Sequence, residues 1–442
     1  MKIGLEYTDK IALTDGIRSL TYKELHHEMR LNAVRMVQAG IEPTQRVLYI
    51  CEDSATLNDV IWFLSICDYA SVIALHRGLS EGEVSSRIRQ SPVSAIIDKN
   101  EIILTGDDAP LAQPGEVSIV YSSGTVQQDP KAIPVSMMND KDNPGWCFHN
   151  AVFFRKLTIN EPRMINYGSL SVSYIQSTIF ETLLNHGTLY VLTDMKKWTE
   201  VANEFKPNIT ATFPMQYEDI MINNEPPNYS LDVVEWCGGA VNKATFRKLR
   251  KFFNFKNFVN AYGTAETGYM TINITDDVNE AESLGTPIEF DNFDVRLALD
   301  NEIIIKSNSS GNEWYHTGDV AKVVDGKWYY AGRKDDRLIT YKGAKIYPGE
   351  VDIIASEIPG VDLAFCYNIP ISKVEGQPGL VYRGTIEPHE LNKALREQLS
   401  NYKRPVRICK LNDEFFDRKL KLSRSKLHKI LTRGDIINEY SF

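Results

Sequence analysis

Residues 46–52, RVLYICE, form an apolar, β-rich run, and the amphipathic stretch TLNDVIWFLSICDYA follows it. Next come SVIAL (71–75), the helix-like EVSSRIRQS and a third apolar run, VSAIID. Short apolar runs alternating with helical-period stretches predict β-α-β-α-β units, hence a parallel sheet with helices packed on its faces. The rhythm returns with GTLYVL (187–192), WTEVANEF and ITATF (209–213). After about residue 290 the texture changes: DVRLAL, EIIIKS and KWYYAGR are short strands separated by DNE and DGK, which predicts antiparallel hairpins. From residue 336 the strand-like VDLAFCYNI, the helix-like HELNKALREQLS and the strand-like VRICKL make a separate α+β pattern. GRKDD (332–336), charged and led by glycine, is the expected junction. The fold expected is therefore α/β. A large N-terminal domain (1–334) of parallel-type sheets layered with helices, plus a small barrel-like β part, precedes a small α+β C-terminal domain (335–442).

With 43% apolar and 24% charged positions, the 442 residues suffice for a sizeable core. Forty-nine basic against 58 acidic residues leave a net charge of −9, which argues against a nucleic-acid partner or an anionic-membrane surface. No apolar run reaches the length of a membrane span, and MKIGLEYTDK lacks a secretory apolar core. The six cysteines are scattered without a CxxC pair and read as reduced, mostly buried thiols of a cytoplasmic protein. The eight histidines show no metal-ligand spacing, so no structural zinc is expected.

GLSEG (78–82) matches the nucleophile elbow of serine hydrolases. The stronger reading is a capping box, with Ser80 as N-cap and Glu83 three residues on. His76 and Arg77 also separate the strand from the glycine, which spoils the sharp turn an elbow needs.

Four distant stretches make joint sense if the ligand is ATP and the chemistry is carboxylate activation. In YSSGTVQQDPK (121–131), Ser122, Ser123 and Thr125 offer hydroxyl donors, Gly124 lets backbone N–H groups approach an anion, and Lys131 adds a point charge. In NAYGTAET (260–267), Tyr262 offers a flat face for a purine and Glu266 a carboxylate for Mg²⁺. In YHTGDVAKVVDGKWYYAGRKDD (315–336), Asp319, following Gly318 in a turn, would accept both ribose hydroxyls, and Arg333 would meet a phosphate or the ribose. The fourth stretch is the lysine-rich RKLKLSRSKL (418–427).

In this order and spacing the four stretches resemble the adenylate-forming superfamily of acyl- and aryl-CoA ligases, peptide-synthetase adenylation domains and luciferases. YSSGTVQQDPK resembles the family's phosphate loop, NAYGTAET its N-x-YGxTE motif and YHTGD its Y-x-TGD. GRKDDRLITYKGAKIYPGEVD resembles the hinge signature, and LKLSRSKL the terminal GKIxRxxL. LTYKEL (20–25) is similar to the family's LTYxEL, and GGA (238–240) to its adenine-loop glycines. The resemblance implies that Lys421 is the catalytic lysine, with Lys426 as the rival assignment. It implies a nucleotide site that includes Gly238, Gly239, Ala240, Asn260, Ala261, Tyr262, Gly263 and Thr264. It also makes Asp335 the hinge residue and brings Lys342 to Ile346 to face a thiol tunnel.

The departures from the family pattern bear on the grip on pyrophosphate. The phosphate loop is one residue longer and carries Val126 and Gln127. Ala265 stands before the glutamate, and Leu420 before the terminal lysine. They keep open a non-catalytic nucleotide-binding descendant as an alternative. The acyl pocket is expected around Ser173, Tyr174 and Ser177; with no acid between Gly168 and Phe180, an α-amino acid is disfavoured as substrate. The resemblance implies ATP and Mg²⁺, a small carboxylic acid substrate, and a thiol acceptor. KIYPGEV favours coenzyme A, the alternative being the phosphopantetheine of a separate acyl carrier protein, since no carrier segment follows LKLSRSKL.

Overall fold

The computed structural model describes residues 3–106, 109–121, 131–137, 146–289, 293–307, 310, 313–334, 338–339, 345–346, 348–370, 376–411 and 436–441. The β-α-β rhythm forms as the pattern predicts. Strand Arg46–Cys51 pairs in parallel with Ser71–His76 on one side and Ala95–Asp98 on the other, and Ser71–His76 pairs in parallel with Glu116–Tyr121. Apolar side chains on both faces of Ser71–His76 are buried, as a sheet covered by helices on both sides requires. Helix Leu57–Tyr69 begins at a capping box in which Thr56 and Asp59 satisfy each other's N–H groups. Antiparallel and short strands complete a seven-stranded sheet.

A second, nine-stranded sheet starts with three parallel strands, Ile209–Thr212, Leu231–Cys237 and Phe255–Thr264. Their carboxyl ends lie side by side, Thr212 opposite Trp236 and Cys237 opposite Ala261. Ligands of open α/β sheets bind beyond such ends. From Phe255–Thr264 the sheet continues by antiparallel pairing through Gly268–Thr275, Ser283–Pro287, Lys327–Arg333, Trp314–Val324, Glu302–Ser307 and Phe293–Leu297. The expected barrel-like part is thus an antiparallel extension of the sheet, and no ladder among the described residues closes it.

Two of the motif stretches belong to strands, among them the TGD expected in a turn. NAYGT is the end of strand Phe255–Thr264, and only Ala265–Thr267 turn the corner into Gly268–Thr275. YHTGD lies inside strand Trp314–Val324, where Gly318 at φ +75° interrupts the ladder. That strand and Lys327–Arg333 are joined through Asp325 and Gly326, at φ +50° and +80°, a two-residue hairpin turn of the type that favours Asp-Gly. The ladder runs regularly from Val324 opposite Lys327 to Ala321 opposite Tyr330. It then skips Ala331, so that Val320 faces Gly332 and Asp319 faces Arg333.

The tail forms its own four-stranded sheet of Val361–Pro370, Gly376–Gly384, Arg407–Leu411 and Ile436–Ser441, with helices Pro348–Glu357 and Pro388–Gln398. It has a separate apolar core around Val351, Leu380, Tyr382, Leu391 and Ile408. Among the described residues no helix is long and apolar enough to cross a membrane. Cys51, Cys67, Cys237, Cys366 and Cys409 are buried.

Candidate active site

Tyr262, Asp319 and Arg333 meet at the junction of the parallel and antiparallel halves of the large sheet. The Tyr262 hydroxyl donates to Asp319 Oδ2 at 2.8 Å, and Arg333 Nη1 donates to Asp319 Oδ1 at 3.3 Å. Asp319 is 7% exposed. Its backbone N–H is taken by Thr317 Oγ1 at 3.0 Å, so the carboxylate is fixed from its own main chain. Burial, and next the Asp319 charge, hold the Tyr262 hydroxyl protonated well above the usual tyrosine range.

Glu266 is half-buried on the hairpin after Phe255–Thr264. Tyr315, two residues before Thr317, lies near its carboxylate; burial first and the Glu266 charge second push the Tyr315 hydroxyl up to about 12. Two sequence-distant segments therefore converge: the strand end with the hairpin that follows it, and the TGD stretch. Glu302 supports them from the adjacent strand. It accepts the Gly318 N–H at 3.0 Å, His316 Nδ1 at 2.8 Å and Lys334 Nζ at 2.8 Å.

Gly318 is required by two constraints. Its φ is +75°, and a Cβ there would lie 2.8 Å from Arg333 Nη2. Gly318→Ala is expected to cost about 1–2 kcal/mol from the left-handed backbone alone. The loss should register as a lowered urea midpoint with an unchanged slope; an unchanged midpoint would show that the strand relaxes around the added methyl.

Gly238, Gly239 and Ala240 are exposed at the end of strand Leu231–Cys237. Gly238, at φ +83°, passes so close to Phe213 that a Cβ would meet its ring at 3.2 Å. The Trp236 indole fixes the loop by donating to Gly239 O at 2.7 Å. Not every motif residue faces this region. Asn260 is buried, its amide spent on the carbonyls of Ala281 and Ser283 at 3.2 and 2.9 Å. Ala261 is buried too, whereas Gly263 and Thr264 are half-buried. Lys131 is exposed just before strand Ala132–Ser136, whose Ala132 pairs with Tyr121. Ser122, Ser123, Gly124, Thr125, Asp335, Lys421 and Lys426 lie outside the described residues.

Helix Ser173–Leu184 carries the three residues expected in the acyl pocket. Ser173 is half-buried in its first turn. Tyr174 is buried, its ring 4.9 Å from that of Phe213 and its hydroxyl donating to Glu235 Oε1 at 3.0 Å. Ser177 donates back to Tyr174 O at 2.9 Å, so that its hydroxyl serves the helix.

Sequence reasoning missed the group behind Tyr174. Arg155, Glu181 and Glu235 have fully buried side chains. Arg155 donates to Glu181 through Nε at 3.0 Å and also through Nη2, and to Glu235 Oε2 through Nη1 at 2.6 Å. The Tyr269 hydroxyl donates to Glu181 Oε1 at 3.0 Å. Burial pushes Glu181 up to about 7 against the pull of Arg155. An acid inside each apolar run, LDVVEWC and TIFETLLN, was the available signal.

Ser80 is no nucleophile: its hydroxyl donates to Glu83 Oε2 at 2.9 Å and accepts the Glu83 N–H at 3.3 Å, as a capping box does. His76, the nearest imidazole in sequence, bonds Asp53 instead.

Residues 4–322 match the AMP-binding enzyme family, and the chain belongs to it. Among its relatives is VraA of Staphylococcus epidermidis, named for long chain fatty acid-CoA ligation, 20% identical over 98% of this chain and 97% of that one. A 2-succinylbenzoate–CoA ligase of Oceanobacillus iheyensis is 22% identical over 95% of this chain and 96% of its own. In fold the chain is similar to the o-succinylbenzoate coenzyme A synthetase MenE of Bacillus subtilis in complex with ATP and magnesium ion. There the TM-score is 0.73 and the identity 18%, over 91% of this chain and 93% of that one.

Proposed function

We propose that this protein joins a small carboxylic acid to a thiol through an acyl-adenylate. The carboxylate oxygen attacks the α-phosphorus of ATP, the bond to the β-phosphate bridging oxygen breaks, and pyrophosphate leaves. The thiol sulfur then attacks the acyl carbon, its proton passes to solvent, and AMP departs to leave a thioester. The observation that carries this reading is the hydrogen-bonded set Tyr262–Asp319–Arg333 with Glu266 beside it. Asp319 offers carboxylate oxygens to the ribose hydroxyls, Tyr262 flanks the purine next to Gly238–Ala240, and Arg333 and Lys131 offer positive charge to phosphates.

A hard cation takes one or two carboxylates together with phosphate oxygens. Glu266, half-buried on its hairpin, supplies such a donor, so the residues present fit magnesium. When bound, it would neutralise charge on the phosphates. In this reading residues 335–442 move as a unit about Asp335, and Lys421 serves adenylation. Coenzyme A is the favoured acceptor, because relatives are named as CoA ligases.

The test is a panel of fatty, aryl and hydroxy acids with ATP and Mg²⁺, the adenylate being trapped by hydroxylamine. At least one acid should release pyrophosphate and yield a hydroxamate. Silence across the panel with ATP binding intact would favour a non-catalytic nucleotide binder. Transfer to a holo carrier protein but never to free coenzyme A would overturn the acceptor assignment.

A further inference from the structure

Two carboxylates and one guanidinium buried in an apolar interior are a poor means of stabilising a fold, because desolvation cancels most of their attraction. Apolar side chains of similar volume would serve at least as well. The partners of this group suggest another use. Arg155 lies on helix Phe148–Thr158, Glu181 on helix Ser173–Leu184, Glu235 on the strand leading into Gly238–Ala240, and Tyr269 three residues beyond Glu266. The group thus ties together the segments that carry the candidate nucleotide loop, the candidate metal ligand and the acyl wall.

Further contacts fix the hairpin's return strand to the same helix. Asn150 pairs with the Tyr269 backbone in both directions, donating to its carbonyl at 3.0 Å and accepting its N–H at 3.2 Å. The Phe154 ring stacks on Tyr269 with centroids 3.8 Å apart and planes 11° from parallel. On the opposite side Glu235 accepts the Tyr174 hydroxyl, which fixes the ring that leans on Phe213, and Phe213 in turn backs Gly238. Hydrogen bonds of set direction specify where these segments stand relative to one another; undirected apolar contacts would let them slide.

We propose that Arg155, Glu181 and Glu235 form a positioning device that holds Glu266, the Gly238–Ala240 loop and the Tyr174 wall in register for acyl-adenylate formation. It rests on the proposed reaction and assigns these residues no contact with substrate. Misplacement of reacting groups by about 1 Å can cost roughly a hundredfold in rate, so the loss should appear in kcat and in the KM for the acid. The KM for ATP should rise as well, because Gly238–Ala240 and Glu266 belong to the nucleotide side of the site.

The test uses two variants of the full chain. Arg155→Met/Tyr174→Phe/Glu181→Leu/Glu235→Leu/Tyr269→Phe replaces the whole group by apolar side chains and leaves none of its members half-paired. It should keep or raise Tm, raise the KM for ATP and for the acid, and lower kcat for pyrophosphate release about a hundredfold. Tyr269→Phe removes one hydroxyl, keeps the stacked ring, and should lower kcat about tenfold at nearly unchanged Tm. A folded apolar variant with wild-type kcat and acid KM would reduce the group to a structural one and overturn the proposal. If that variant does not fold, wild-type kcat in Tyr269→Phe overturns it instead. Wild-type protein run alongside separates the two claims: should it activate no acid, the proposed reaction falls and the positioning role with it.

Discussion

Replacing Lys421 by alanine is expected to slow pyrophosphate release about a hundred- to a thousandfold, the usual cost of one lost contact to charge that develops in the transition state. Thioester formation from supplied acyl-adenylate should hardly change. The asymmetry follows from the proposed cycle: an ammonium group beside the α-phosphate matters while negative charge builds there, and it has no task once the adenylate exists. Asp335→Pro should do the reverse, because proline fixes φ at the expected hinge and removes a backbone donor. The first half-reaction would survive and the second fail. Lys426→Ala is the control and should change little. Loss of adenylation in that variant with Lys421→Ala intact would shift the assignment of the tail, and equal loss of both half-reactions in Lys421→Ala would rule out alternation between domains.

Asp319→Ala is expected to lower kcat/KM for ATP by about one to two orders of magnitude. Hydrogen bonds to a charged group are worth about 1.5–3 kcal/mol, and this carboxylate serves several groups. It accepts Tyr262 and Arg333 and would accept the ribose. Alanine removes the ribose acceptor and takes away the partner that orients the Tyr262 ring. Asp319→Asn keeps one acceptor oxygen and should lose less. Pyrophosphate release at varied ATP and saturating acid is the measurement. A defect confined to the KM for the acid would place Asp319 on the acyl side of the site.

The strands of the first sheet were legible because each is a short apolar run bounded by an amphipathic one; strand Ser71–His76 and helix Leu57–Tyr69 stand where the pattern put them. The ends of Phe255–Thr264 and the middle of Trp314–Val324 were not. Glycine, threonine and asparagine weaken the periodic signal, and tertiary pairing overrides such local preference. Motif resemblance named Tyr262, Asp319 and Arg333, which hydrogen bonds join in the structure. It also named Asn260, whose amide fastens the Ala281–Ser283 segment, and only the direction of a side chain supplies such a difference. Glu181 and Glu235 advertised themselves as acids in apolar runs. Their common partner, Arg155, sits in a separate helix, and no local pattern joins residues that far apart.

Ala331 has no partner across its ladder, and that extra position makes strand length itself carry chemical information. Were Ala331 paired in regular register, counted back from the Asp325–Gly326 corner, Asp319 would stand opposite Gly332, and Arg333 would be carried past the carboxylate by one step. Side chains alternate faces at every residue, so such a slip exchanges one side of a strand for the other. Insertions and deletions between 327 and 333 are therefore not neutral spacing in descendants of this chain. Whether such a change is absorbed at the bulge or shifts the ladder by one step decides whether the carboxylate faces a guanidinium or bare backbone, although every functional letter is still present in the sequence.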